Sequence, residues 1–173
     1  IDDGNNDGFA AHLEGRQNII TSPDSLIVAA VGSFDYVNQD FRNIERIYNI
    51  EFNRDWNLEN PTGDQRFITG GAEVLKNKLR SANYRFQNLN FTDNYDGTRH
   101  EITTNLNFDK LRITGQSSYL DSKSDLKTTK FFRGNAIAAY SFLKSWIGAK
   151  TGFENNEVKT ITEDSLTPLS IKY

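Results

Sequence analysis

The stretch that decides the fold runs from Phe131 to Phe142 and reads FFRGNAIAAYSF. Every second residue from Phe132 onward is aromatic, small or apolar, while the intervening set includes Arg133, Asn135 and Ser141. A period of two places each set on one face of an extended chain. The stretch therefore predicts a β-strand with one apolar face.

The same alternation recurs along most of the chain and predicts an all-β fold. Gly71 to Ala82 also approximates a helical stripe, although a hairpin turning at Lys76–Lys78 explains this window equally well. The predicted strands cover residues 9–21, 25–37, 66–75, 79–91, 100–108, 111–120, 128–142 and 146–159.

The connections predict how these strands are joined. Short turns and longer polar connections alternate strictly along the chain, which predicts an antiparallel up-and-down meander of about eight to nine strands in one domain over 1–173. The tail from Leu166 to Tyr173 could begin the ninth strand. The short turns lie at 22–25, 76–78, 109–110 and 143–145, and the longer connections at 38–65, 92–99, 121–127 and 155 to about 164.

The composition excludes several classes of protein. The 173 residues contain no cysteine, which excludes disulfides, thiolate metal sites and cysteine nucleophiles. The net charge of −3, with both signs interspersed, argues against a nucleic-acid partner. No run approaches the ~20 apolar residues of a membrane helix. Because the chain starts at Ile1, we expect it to be processed, trimmed or cut from something larger.

Long strands with this dyad pattern, with tight turns at one end and polar loops at the other, resemble those of a bacterial outer-membrane β-barrel. The Asn-, Asp- and aromatic-rich segments 52–57 and 93–97 are similar to loops of large outer-membrane barrels of Bacteroidota. The resemblance implies a transmembrane β-barrel, or a segment of a larger one, in the bacterial outer membrane. It also implies contact with the lipid bilayer and a non-catalytic role in transport, export or surface assembly.

The resemblance assigns a role to each face of the sheet. Charged residues on the polar parity would line the interior, either as a water-filled passage or as a ladder of ion pairs. Aromatic residues near strand ends, including Phe91, would form belts at the membrane interfaces. The expected interior residues are Glu73, Arg85, Glu101, Arg112, Arg133, Lys150 and Glu154. The expected lipid or interface residues are Tyr36, Tyr84, Phe108, Tyr119, Phe132, Tyr140, Phe142, Trp146 and Phe153.

The strand count bears on whether such a barrel closes. Eight strands that start near Phe9 return the chain to the long-loop end, whereas stand-alone barrels of this family keep both termini at the short-turn end. We therefore expect a segment that pairs with further strands of the same polypeptide or with other outer-membrane subunits. A closed eight-stranded barrel is one alternative. A secreted or surface-attached β-sandwich that binds glycan or protein through Trp56 and Trp146 is another.

Few residues indicate catalysis or metal binding. Asp3, Asn5, Asp7 and Glu14 fit the spacing of a calcium loop, but no helix can precede Asp3, and Asn- and Asp-rich turns produce such matches by themselves. We expect no metal, with calcium at Asp3, Asn5 and Asp7 as the alternative. His12 and His100 have no Ser or Asp partner at a recognisable triad spacing. We therefore expect neither a cofactor nor an enzyme.

Overall fold

The computed structural model describes residues 7–23, 25–41, 50–161 and 170–172. These residues form one antiparallel sheet whose strands follow one another in chain order, and a short helix lies in the connection between the second and third strands. The elements are β1 Ala10–Thr21, β2 Leu26–Val37, α1 Ile50–Trp56, β3 Gln65–Lys76, β4 Arg80–Phe91, β5 Tyr95–Asn107, β6 Leu111–Ser124, β7 Lys127–Phe142, β8 Ser145–Thr160 and β9 Ser170–Lys172.

The predicted all-β meander is confirmed, because each strand pairs antiparallel with the next one. The ninth strand forms within the predicted tail, where Ser170–Lys172 pairs with Glu157–Lys159. In the part of the chain that the structure describes, β1 pairs only with β2, and Ala11–Asn18 is not paired with Gly148–Asn155. The described strands therefore form an open sheet and not a closed eight-stranded cylinder.

The register assigns every strand residue to one of two faces, since directly opposed residues project to the same side. We call the face that α1 covers the inner face and the opposite one the outer face. One inner row crosses β3 to β8 through Gly71, Arg85, Glu101, Ser118, Arg133 and Glu154. One outer row crosses the same strands through Ala72, Tyr84, Ile102, Ser117, Gly134 and Phe153.

The window between Gly71 and Ala82 forms a hairpin and not a helix. Asn77 and Lys78 both have left-handed backbone angles, with φ of 53° and 55°, as a two-residue turn between twisted strands requires. Leu143 adopts the same conformation, with φ of 52°, in the turn between β7 and β8.

The strict alternation of short and long connections is wrong. The expected loops at 92–99 and 121–127 belong mostly to strands, because β5 begins at Tyr95 and β6 ends at Ser124. Asp96 is polar but extended, since it pairs with Asn90 and Lys123 on the outer face. The chain turns within 92–94 and 125–126, while the 38–64 connection remains long.

The segment 52–57, interpreted from the sequence as polar loop, lies largely within α1. No helix among the described residues has the length and apolarity needed to cross a membrane. The helix matters instead for the inner face, because buried apolar side chains collect beneath it.

Candidate functional site

Helix α1 covers the inner face at the end of the sheet that carries the 38–64, 92–94 and 125–126 connections, which we call the loop end. The opposite end, with the turns at 22–25, 77–79, 108–110 and 143–144, is the turn end. Phe52 and Trp56 lie four residues apart and so share one side of the helix. Trp56 is 2% exposed, and its ring meets that of Phe67 edge-on at 5.7 Å.

An apolar cluster beneath α1 fixes the helix to the sheet. Its buried members are Trp56, Leu89, Phe91, Tyr95 and Leu120. The four sheet residues occupy inner-face positions near the loop end, where apolar side chains replace the polar ones found farther down the strands. Burying a side chain of this size stabilises a fold by about 1.5–3 kcal/mol. The cluster therefore makes α1 an integral part of the inner wall.

Polar contacts reinforce this attachment around the end of the helix. The Tyr95 hydroxyl donates to the Trp56 carbonyl at 2.5 Å. The Asn57 amide donates to the Thr129 hydroxyl at 2.6 Å and accepts from Lys127 Nζ at 3.1 Å. Lys127 also pairs with Glu59. Hydrogen bonds of this kind add about 0.5–1.5 kcal/mol each, and more when one partner is charged.

Asp55 connects α1 electrostatically to two strands. Its carboxylate lies 3.5 Å from Arg99 Nη1 on β5 and 3.8 Å from Arg133 Nη2 on β7. Arg99 also lies 3.7 Å from Glu101, which accepts a hydrogen bond from Gln116 at 2.9 Å. The Arg99 side chain is 11% exposed, so these pairs are screened by water less than surface pairs are. The inner face thus carries an ordered network of alternating charge beneath the helix.

All seven residues expected in the interior lie on the inner face. Three of them form ion pairs: Glu73 with Arg16, Glu101 with Arg99, and Arg133 with Asp55. A continuous ladder of ion pairs does not form, because the remaining four make no ion pair among the described residues. These four are Arg85, Arg112, Lys150 and Glu154.

A second charged cluster lies on the inner face of β1 to β3, away from α1. His12 Nδ1 and Asp35 Oδ1 lie 2.5 Å apart, and His12 Nε2 lies 3.6 Å from Glu14. Arg16 donates to Glu73 at 3.1 Å. His12, Glu14 and Arg16 are at least half exposed and Asp35 and Glu73 about a third, so water screens each pair and each contributes little to stability.

Concave spaces lie along the polar inner wall. One of about 390 Å³ lies beside α1 and is lined by Asp55, Arg99, Glu101 and Gln116 together with aromatic rings of the helix. Another of about 520 Å³ lies over β1 to β4. Both volumes fall within the range of small-molecule sites.

Asp64 closes the 38–64 connection onto the sheet at the loop end. Its carboxylate accepts hydrogen bonds from the Tyr36 hydroxyl at 2.5 Å, the Gln39 backbone N–H at 3.0 Å and the Asn38 amide at 3.2 Å. The bonds from Tyr36 and Gln39 favour the ionised form and lower the pKa of Asp64. The base of the connection is therefore held by an ionised carboxylate.

The outer face presents apolar side chains that no other described element covers. Leu13, Ile102 and Phe153, for example, are 71%, 50% and 62% exposed. The register places most of the expected interface aromatics on this face, namely Tyr36, Tyr84, Tyr119, Phe132, Tyr140, Phe142 and Phe153. Phe108 lies at the turn end under the Arg80 guanidinium, 4.4 Å from its ring centre. Monomeric soluble proteins rarely expose an apolar surface of this extent.

Three aromatic expectations need correction. Trp146 lies on the inner face, since it pairs with Ser141 and alternates with Ile147. Phe91 is buried inside the cluster beneath α1 and belongs to no outer belt, because its parity points inward. Trp56 is likewise buried, so it offers no ring for glycan stacking.

The residues considered for metal binding or catalysis do not form a site in the described part. Asp3 and Asn5 lie outside the described residues, and no group of three or more acidic or histidine side chains within that part could hold a metal ion. His12 faces inward beside Asp35, whereas His100 faces outward beside the Tyr84 hydroxyl at 2.8 Å. The two histidines therefore lie on opposite faces of the sheet.

The sequence reasoning missed α1 and its inner-face cluster. A signal was present, because apolar residues take over the polar parity near one end of successive strands. Phe67, Leu89, Leu120 and Phe131 are the clearest of these positions. The spacing of Phe52 and Trp56 gave the matching helical signal.

Comparisons with protein-family models, curated proteins and solved structures give no match. The functional interpretation therefore depends on the geometry of the sheet and of its two faces.

Proposed function

We propose that this chain forms part of the wall of a bacterial outer-membrane β-barrel with a non-catalytic role in transport, export or surface assembly. The observation that carries the proposal is the uncovered apolar outer face, combined with a charged inner face on the same strands. Lipid covers such an outer face without the dense packing that a protein core needs. The strands, at 12 to 16 residues from β1 to β8, are long enough to cross a tilted bilayer.

The free sheet edges support a larger assembly. The outward edge of β1 has no partner among the described residues, and β8 pairs with β9 only at Glu157–Lys159. Unpaired backbone groups cost several kcal/mol each in lipid, so a spanning sheet must close. Further strands, from the same polypeptide or from other outer-membrane subunits, would close it.

The charged inner face favours a passage or a binding surface over a simple anchor. Arg85, Arg112 and Lys150 make no ion pair within the described part, which is consistent with contact to water in a wide interior. Helix α1 narrows that interior at the loop end. A β-sandwich is less consistent with these features, because a second sheet would have to cover the outer face.

Vesicle insertion tests the proposal. The protein, together with the strands of the polypeptide or subunits that close its sheet, is diluted from urea into phosphatidylcholine vesicles, floated on a density gradient and washed with alkaline carbonate. We expect it to float, to resist the wash and to need detergent for monodispersity outside vesicles. A protein that stays monodisperse without detergent and does not float contradicts the proposal and favours the sandwich.

The proposal extends to sidedness, with the loop end extracellular and the turn end periplasmic. Because the chain has no cysteine, single cysteines at Asp125 and Lys144 give a clean comparison at two exposed turns. We expect an impermeant thiol reagent on intact cells to label Asp125→Cys and not Lys144→Cys. Labelling of Lys144→Cys alone reverses the topology.

A further inference from the structure

A cavity of about 350 Å³ lies between the end of α1 and the inner wall of β6 to β8. Its principal lining residues are Arg54, Asp55, Phe131, Arg133, Glu154 and Asn156. It differs from the spaces described above because unused hydrogen-bond acceptors line it. This property defines what the cavity can bind.

Two acceptors that line the cavity, one buried and one exposed, accept no hydrogen bond from the described residues. Asn156 Oδ1 is buried and has no hydrogen-bond partner in the part of the chain that the structure describes. Glu154 lies directly opposite Arg133 in the β7–β8 register, yet it forms neither an ion pair nor a hydrogen bond within the described residues. The reason is that Arg133 turns toward Asp55 on α1. Glu154 is exposed, so water can solvate its carboxylate, whereas the buried Asn156 oxygen is the acceptor at which a bound donor is favoured.

The charges around the cavity balance. Arg54 and Arg133 carry positive charge, and both lie within 4 Å of Asp55. Glu154 supplies the second negative charge. A free anion would meet the carboxylates, and a free cation would meet the guanidiniums. The balance therefore favours a neutral ligand.

A neutral ligand must donate hydrogen bonds to Glu154 and Asn156. It must also accept hydrogen bonds from the guanidinium N–H groups of Arg54 and Arg133, which remain available because both groups lie beyond 3.5 Å from Asp55. Hydroxyl groups do both. The Phe131 ring adds an apolar surface on one side. We propose that this cavity binds a neutral, hydroxyl-rich solute, with Glu154 and Asn156 accepting from adjacent hydroxyls. The proposal rests on the proposed function in that it names the solute class for the inner wall.

Binding of D-glucose, used as a neutral polyol probe, tests this inference by calorimetric titration of the full chain folded in detergent. Sodium acetate and tetramethylammonium chloride serve as charged comparison solutes. We expect saturable glucose binding that weakens by about tenfold in Asn156→Ala, which removes an acceptor, and severalfold in the isosteric Glu154→Gln, which replaces a carboxylate acceptor with a weaker amide acceptor and a donor. Glu157→Gln on the outer face of the same strand is the matched control and keeps wild-type affinity.

Several outcomes overturn the inference. These are the absence of saturable glucose binding, equal binding in Glu154→Gln, and binding of either charged solute in place of glucose. Glu154→Gln keeps the test decisive if Asn156→Ala fails to fold, which circular dichroism detects. Vesicle insertion without glucose binding contradicts the binding-site inference alone. Glucose binding without vesicle insertion contradicts the proposed membrane function and supports the binding site.

Discussion

The two faces of one sheet treat apolar side chains in opposite ways. On the outer face, aromatic and aliphatic residues such as Tyr84 and Ile102 are left uncovered along whole strands. On the inner face, a buried apolar cluster forms at the loop end beneath α1, whereas Trp146 at the turn end stays exposed. The comparison indicates that the protein builds a core only where its own chain can reach the sheet. Elsewhere it relies on its surroundings, which we propose are lipid outside and water inside.

Removal of the Trp56 ring from the apolar cluster beneath α1 should have the largest effect on stability. We expect Trp56→Ala to destabilise the loop end by about 3–5 kcal/mol, because the change leaves a cavity among Phe67, Leu89 and Tyr95. Trp146→Ala is the matched control, since that ring is 73% exposed at the turn end. Urea unfolding in detergent measures both. Equal losses would show that α1 contributes no core.

A charge in the middle of the outer face should have the next largest effect. We expect Ala136→Arg to cost about 2–4 kcal/mol and to impair insertion, as charge does at the bilayer midplane. Asn135→Arg, one residue away on the inner face, should insert normally. Flotation yields of the two variants give the comparison. Greater sensitivity at Asn135 would reverse the assignment of the faces.

The turns belong to neither face and should respond only to local strain. Leu143 is fully exposed in the left-handed region, which costs an L-residue roughly 1–2 kcal/mol. We expect Leu143→Asn to recover up to about 1 kcal/mol, because asparagine tolerates that conformation. Lys144→Asn, whose backbone is not left-handed, should recover nothing. Thermal unfolding measures the stability of both variants. A loss of stability in Leu143→Asn would mean that the leucine side chain makes a stabilising contact.

The smallest effect should be the pH dependence at Asp64, which holds the base of the 38–64 connection. Because its pKa is lowered in the folded state, its contribution is fully present above the ordinary aspartate value of about 3.9. The contribution should disappear as the pH falls through the folded-state pKa. We expect the difference in melting temperature between wild type and Asp64→Asn to be constant at neutral pH and to shrink below about pH 4. A difference that does not change with pH would exclude the carboxylate as its source.

The fold was predictable because alternation is a local property of each strand. Parity alone predicts which face each residue occupies, both for the apolar set from Phe132 to Phe142 and for the interior set from Glu73 to Glu154. The register agrees with that prediction. Strand ends were less predictable. Asp96 and Asp121 look like loop residues in sequence, yet they are paired strand residues on the outer face near the loop end.

The candidate site depended on a contact that parity does not describe. Asp55 meets Arg99 and Arg133 only because α1 folds back across the sheet. The sequence separation of these partners leaves no periodic signal. Trp146 lies beside a turn, where an aromatic residue suggests a membrane interface, but it shares the inward parity of Gly148 and Lys150.

The central claim is that the outer face contacts lipid while the inner face contacts water, and Thr103 and Thr104 test it most directly. These adjacent, chemically identical residues lie mid-strand on opposite faces, Thr103 inward opposite Asn83 and Gln116, and Thr104 outward opposite Ala82 and Gly115. A nitroxide label at each, in the protein inserted into vesicles, is measured by spin resonance with oxygen and with a water-soluble nickel chelate. We predict that oxygen relaxes the label at Thr104 more strongly and that nickel relaxes the label at Thr103. Equal nickel access at both positions, or the reverse order, contradicts the account.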